Sequence, residues 1–182
     1  MRTAQTLLTV GLLTALSGVA AAPPDTAAPD ESARMKIQLI QTLARFVKWP
    51  PAAAPDELGQ WRFCFIGTGD PTVDQARRWM PEQLADIPVE VRTRRFDEAV
   101  TGCHIVYLSD GVPEQRMLQA LDTGEYGHAL TISDSYRFAR RGGMIELVRV
   151  RERYRFDVDY SKVLDGRLNL DSGMLKLARR VH

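Results

Sequence analysis

The sequence predicts an α/β fold, with a mostly parallel sheet, crossover helices on both faces, a C-terminal antiparallel hairpin and closing helices. Three observations carry this expectation. Between Trp61 and Ser133, short apolar runs alternate with amphipathic segments, which calls for crossover connections. The segments GGMIELVRV and RYRFDVDY alternate in polarity and are joined through RER, as the strands of a hairpin are. The tail SKVLDGRLNLDSGMLKLARRV then reads as two short helices.

The chain of 182 residues divides into three parts: residues 1–22, 23–33 and 34–182. Arg2 is followed by the apolar run LLTVGLLTALSGVAAA with a small-residue exit, the pattern of a secretory signal peptide cleaved near residues 20–22. The run is shorter than the ~20 apolar residues that span a bilayer. PPDTAAPDES is Pro/Ala/Asp-rich and reads as a flexible leader, so the single folded domain is expected from Arg34. Losing residues 1–22 removes one of 24 basic residues and none of the 23 acidic ones, leaving 23 against 23. A balanced chain is not a dedicated nucleic-acid binder, which carries a basic excess.

The first element is RMKIQLIQTLARFVKWPP. Gln38, Gln41, Arg45 and Lys48 form one polar stripe at helical spacing. Met35, Ile37, Leu39, Ile40, Leu43, Phe46 and Val47 form a wide apolar surface, and Pro50 and Pro51 are expected to stop the helix. WRFCFIG is the next strand and DPTVDQARRWMPEQL a helix; PVEVRT, GCHIVYLSD and HALTIS are further strands, with VPEQRMLQALD helical between the last two. In the tail, Asp171 or Ser172 caps the last helix, and Leu175, Ala178 and Val181 share its buried face.

Export turns Cys64 and Cys103, the two cysteines, into an expected disulfide closing a loop of roughly 40 residues. The alternative is a pair of buried free thiols. His104 beside Cys103 does not make a metal site, because neighbours on a strand point to opposite faces, and His128 and His182 lack ligand spacing.

GTGDPT after the first strand raises the question of a phosphate loop. The dinucleotide fingerprint needs a third glycine and a continuing helix, where this chain has Pro71; the P-loop Gly-Lys-Ser/Thr is absent. Asp70 would also face phosphate oxygens. A strand-to-helix turn explains the segment, with Gly67 and Gly69 supplying backbone freedom and Asp70 the cap. Ser109 and Ser133 follow strands, but neither stands in Gly-x-Ser-x-Gly, and Asp110 and Asp134 read as caps. Neither a catalytic constellation nor a cofactor site emerges. In YRFARRGGMIEL, Gly142 and Gly143 turn the chain into the hairpin, and Phe138, Arg140, Arg141 and Met144 form one candidate partner surface; Phe46 and Trp49 form another.

Five blocks occur in order between about Lys36 and Val181: MKIQLIQTLARFVKWP, FCFIGTGDP, CHIVYLSD, LTISDSYRFARRGGMIEL and RFDVDYSKVLDGRLNLDSGMLKLARRV. In order and spacing they resemble the YfiR family of periplasmic proteins, the DUF4154 domain. That resemblance implies a non-catalytic periplasmic regulator that binds the sensor part of an inner-membrane diguanylate cyclase and represses cyclic-di-GMP synthesis. It implies an OmpA-like outer-membrane lipoprotein that sequesters the repressor, dimer formation, and repression supported by oxidative folding. Other relatives imply sensor kinases or receptors of different architecture as the context. Apart from the resemblance, the α/β architecture leaves the alternative of a periplasmic small-ligand receptor for a membrane sensor kinase, with a pocket at the carboxyl ends of the strands near Gly67–Asp70 and Ser109–Gly111. This chain departs from the pattern in having one cysteine pair, with Ala139 and Ile145 where some relatives carry a second, and Asp159 where Asn is commoner.

Overall fold

Successive side chains on a strand point to opposite sides, and this alternation sorts the chain into two cores. The structure, a computed structural model, describes residues 29–182. The expected signal peptide and the first part of the leader lie outside these residues.

Helix α1 spans Pro29–Ala44. Its buried positions, Ala33, Lys36, Ile37, Ile40, Leu43 and Ala44, recur at intervals of three and four. Both expected ends of this element need correction. The helix begins at Pro29 and not at Arg34: Pro29 suits a first turn, Asp30 and Glu31 favour its positive end, and Ser32 Oγ hydrogen-bonds Tyr154 OH at 2.8 Å. Residues 29–33 of the expected leader are therefore helical. The helix ends at Ala44 and not at Pro50, because Val47–Lys48 (β1) pairs antiparallel with Asn169–Leu170 (β9). Tertiary pairing outweighs the helical period there.

The remaining elements are α2 (Pro55–Leu58), β2 (Trp61–Ile66), α3 (Pro71–Trp79), β3 (Gln83–Leu84), β4 (Ile87–Arg94), β5 (Ile105–Leu108) and α4 (Glu114–Asp122). After them come β6 (Leu130–Ser133), β7 (Ile145–Val150), β8 (Arg153–Val158), α5 (Tyr160–Asp165), α6 (Ser172–Leu177) and β10 (Arg180–Val181). The main sheet has the order β10-β8-β7-β6-β5-β2-β4-β3. Strands β4, β2, β5, β6 and β7 run parallel, and β7 and β8 form the antiparallel hairpin. The expected fold class is the one observed.

Phe63 and Phe65 of β2, Ile105 and Tyr107 of β5, and Leu130 and Ile132 of β6 face α1 and α3. Cys64, Ile66, Val106 and Leu108 face the other way, against Met117 of α4 and Phe138. Helices thus cover both faces, as a parallel sheet requires. In the tail, Asp171 caps α6, accepting the amide of Gly173 at 2.7 Å. The shared face expected for Leu175, Ala178 and Val181 does not form. Alpha-helical geometry stops at Leu177, Ala178 is extended, and Val181 belongs to β10, which pairs parallel with β8; Met174 is the buried residue.

Candidate functional site

The chain leaves β2, passes through α3 to β4 on one side, and later returns to place β5 on the other side of β2. Open α/β sheets carry their functional crevice at such a reversal, outside the carboxyl ends of the strands. Here that crest is built from Gly67–Asp70 after β2, Ser109–Gly111 after β5, and the segment from Asp134 onward after β6.

The β2 loop is the structural turn expected from the sequence. Gly67 has φ 144°, and a Cβ there would stand 2.0 Å from Ser109 Oγ. Gly69 has φ 72°. Asp70 caps α3, accepting the amides of Thr72 at 2.6 Å and Val73 at 3.4 Å. That carboxylate occupies the helix N-terminus where a phosphate would bind.

Behind the loop lies a buried polar network. Lys36 Nζ, on the core stripe of α1, donates to Asp134 Oδ2 at 2.5 Å, and Tyr107 OH donates to Asp134 Oδ1 at 2.8 Å. The Lys36 and Asp134 side chains are 10% and 14% exposed. Burial opposes the Lys36 charge, but the Asp134 carboxylate outweighs it and holds the ammonium above its usual range. Burial, followed by the charges of Asp134 and Asp70, pushes the Tyr107 phenol well above its ordinary value. Burial and the same two carboxylates also raise Asp110. Ser109 Oγ is buried and has no hydrogen-bond partner among the described residues, while Ser133 Oγ accepts the amide of Ser135 at 3.0 Å. Among the described residues no group of three His, Cys, Asp or Glu converges as metal ligands. Such an arrangement gives rigidity and charge at the crest.

The next loop belongs to the same crest. Arg137 has φ 60°, and its amide and that of Ala139 donate to the two carboxylate oxygens of Glu146 at 3.0 and 3.4 Å. Phe138 is fully buried, and a Cβ on Gly143 would lie 2.1 Å from its ring. Gly142 turns with φ 98°.

The expected partner surfaces divide. Phe46 is 40% exposed, Arg140 is exposed, and Arg141 is half-buried and ion-paired with Glu114. Trp49, Phe138 and Met144 are core residues, which corrects their placement on a partner surface. The Trp49 indole donates to the His128 carbonyl at 3.1 Å and meets Trp61 edge-on at 5.3 Å. The amide of Met144 donates to Thr131 Oγ1 at 3.1 Å. Tyr136, 81% exposed, is the aromatic that the loop presents to solvent, where the sequence points to Phe138. Its hydroxyl suits it to water better than Phe138, which is the one signal the sequence offered.

Cys64 and Cys103 form a disulfide with their Cα atoms 6.1 Å apart, tying β2 to the chain entering β5. His104 beside them is buried; burial, with Arg62 nearby, depresses its imidazole to about 4. Its Nδ1 accepts the Arg62 amide at 2.9 Å.

Away from the crest, a cavity of about 600 Å³ lies where α1, β1, α2 and β4 meet. Trp49 and Trp61 floor it, with Arg45, Lys48, Asp56 and Glu57 at its rim. None of these four makes an ion pair among the described residues.

Two solved structures share the α/β fold. One is the ABC domain in complex with L-Trp from Streptococcus pneumonia, with a TM-score of 0.54 and 10% identity. The other is a conserved domain protein from Vibrio cholerae O1 biovar El Tor, with a TM-score of 0.51 and 8% identity. Each alignment covers 82% of this chain, and the chain spans 60% of the length of each of these two structures. No curated protein matches. A family profile described as YfiR/HmsC-like, DUF4154, matches residues 33–179. The chain belongs to the YfiR/HmsC-like family. That family is a regulatory one of the periplasm, and membership supports a role in cyclic-di-GMP signalling at the family level. Among the described residues no helix is long and apolar enough to cross a membrane.

Proposed function

We propose that this protein is a periplasmic repressor, binding the sensor region of an inner-membrane diguanylate cyclase and holding the enzyme inactive. The observation that carries this reading is the family match over residues 33–179. A crest of ion-paired, capped and rigid loops fits a protein that acts by binding. Repression then requires tighter binding to the inactive sensor conformation than to the active one. Moving such a sensor from mostly active to almost wholly inactive needs roughly 5 kcal/mol of differential affinity. The test is intracellular cyclic-di-GMP with and without the gene. Deletion is expected to raise it, an exported copy to lower it again, and a copy lacking residues 1–22 to have no effect. Unchanged cyclic-di-GMP on deletion refutes the reading.

A second reading is favoured by the tryptophan-floored cavity: a receptor for a small ligand that signals through a membrane sensor kinase. Two unpaired cations and two unpaired carboxylates around an aromatic floor suit a zwitterion, and one of the solved structures of this fold holds L-Trp. The pocket of this reading lies beside α2, away from the carboxyl ends of the strands where the architecture leads one to expect it. Thermal stabilisation by free amino acids supports this reading, and a flat response across them refutes it.

A further inference from the structure

Tyr136 is the most exposed of the large hydrophobic side chains among the described residues, at 81%. Exposure of one aromatic is ordinary. What is not ordinary is the construction behind it. Arg137 is held in the left-handed region that non-glycine residues avoid. Strain of this kind persists where surrounding contacts over-determine it. Here the surroundings are a buried carboxylate, Glu146, consumed by the amides of Arg137 and Ala139. Burying a charge is costly unless it is hydrogen-bonded, and these bonds fix residues 137–139. Phe138 is pegged into the core against Gly143, so Tyr136, two residues earlier, stays outside. Ser133 Oγ fixes the start of the loop through the Ser135 amide, and Arg141 ties its end to Glu114 on α4.

The charges at this tip point one way. The Arg137 guanidinium lies 6.0 Å from the Tyr136 ring centre, and Arg140 is exposed. Neither forms an ion pair among the described residues, whereas Arg141 in the same loop does. Tyrosine and arginine dominate binding hot spots, and a side chain ordered in advance loses less entropy on binding.

We infer that the loop tip of Tyr136, Arg137 and Arg140 is a preorganised docking point for an acidic segment on the extracytoplasmic domain of the membrane-bound partner. The inference rests on the repressor reading and names the surface through which it works. The tyrosine supplies the contact area, and the two guanidinium groups select carboxylates. Binding through this tip weakens as salt rises.

The test is titration of the full exported chain with the purified extracytoplasmic domain of the diguanylate cyclase, in parallel with the cyclic-di-GMP assay. Tyr136→Ala is expected to weaken binding about 30-fold, the scale of a hot spot. Arg140→Glu should weaken binding similarly and reduce its dependence on salt. Arg137→Gly, which removes the charge while suiting the backbone, should also weaken binding. Leu177→Ser, at another exposed apolar site, should bind as the parent does. All four are expected to melt within about 2 °C of the parent or above it, since none removes a buried contact. Tyr136→Ala and Arg140→Glu binding and repressing as the parent does overturns the docking point while leaving the repressor reading in place. Absence of parental binding, together with unchanged cyclic-di-GMP on gene deletion, overturns both.

Discussion

Neutralising Asp134 tests the buried network in isolation from any partner. Asp134→Asn keeps an oxygen for the Tyr107 hydroxyl but strands the Lys36 ammonium in a site where its side chain is 10% exposed. Breaking a buried ion pair by removing one partner costs about 3–5 kcal/mol. A domain of this size loses roughly 2–4 °C of Tm per kcal/mol, so the variant should melt on the order of 10 °C lower. Lys36→Met leaves the carboxylate with the phenol as its remaining donor and should cost less. The double variant Lys36→Met/Asp134→Asn removes both charges at nearly constant shape and should recover most of the loss. The pH dependence has a definite sign. Lys36 is held above the ordinary lysine value of 10.5, so its contribution is complete below that value and is lost as pH rises through the higher folded value. Thermal melts from neutral to alkaline pH should show a steeper decline in the parent than in Lys36→Met, where the part due to the raised Tyr107 phenol remains. A double variant no more stable than Asp134→Asn alone, or a loss under about 1 kcal/mol in Asp134→Asn, refutes the network as a coupled unit.

Other outcomes follow from single features. Reducing the Cys64–Cys103 bond, whose ends are 39 residues apart, should cost about 4 kcal/mol by loop-closure entropy, read as a lower Tm with reductant. Equal melts with and without reductant would remove the bond from the stability of the fold. His104 is neutral in the folded protein with a value of about 4 against 6.5 unfolded, so its contribution is present above pH 6.5 and is lost as pH falls toward 4. The loss approaches about 3 kcal/mol, and His104→Asn should flatten it in acid melts. Gly143→Ala drives a methyl into the Phe138 ring, and overpacking of this kind costs roughly 1–3 kcal/mol; Phe138→Leu in the same chain should relieve part of it.

The parallel sheet could be read from sequence because its central strands β2, β5 and β6 are buried on both faces and its helices carry clear periods. Val47–Lys48 could not, because two residues have no period and only the distant Asn169–Leu170 makes them a strand. The same holds for Arg180–Val181, which completes the sheet beside β8 where helical spacing suggested a buried face for Val181. Lys36 was visible in principle, as a charge at a core position of the α1 stripe, but its partner Asp134 is 98 residues away and no local pattern joins them. Asp70 and Gly67 were legible because caps and turns are local chemistry.

Phe138 and Tyr136 show where local reasoning stops. Both are aromatic, both neighbour arginines, and they stand two residues apart in one loop. Their opposite fates are set by a bare glycine and a buried carboxylate, Gly143 and Glu146, which belong to the turn and strand beyond. Aromatic surface on a loop is therefore read best from what lies behind it. A ring whose place is hollowed out by a glycine is core, and a ring held outside by a fixed backbone is available to a partner. A repressor needs a difference in affinity between two partner conformations, and a rigid tip reports such differences better than a mobile one. A mobile tip follows its target, whereas a fixed tip loses contact when the target moves. On the proposed repressor reading, the buried carboxylate beneath Arg137 connects the stability of this loop to the discrimination required of it.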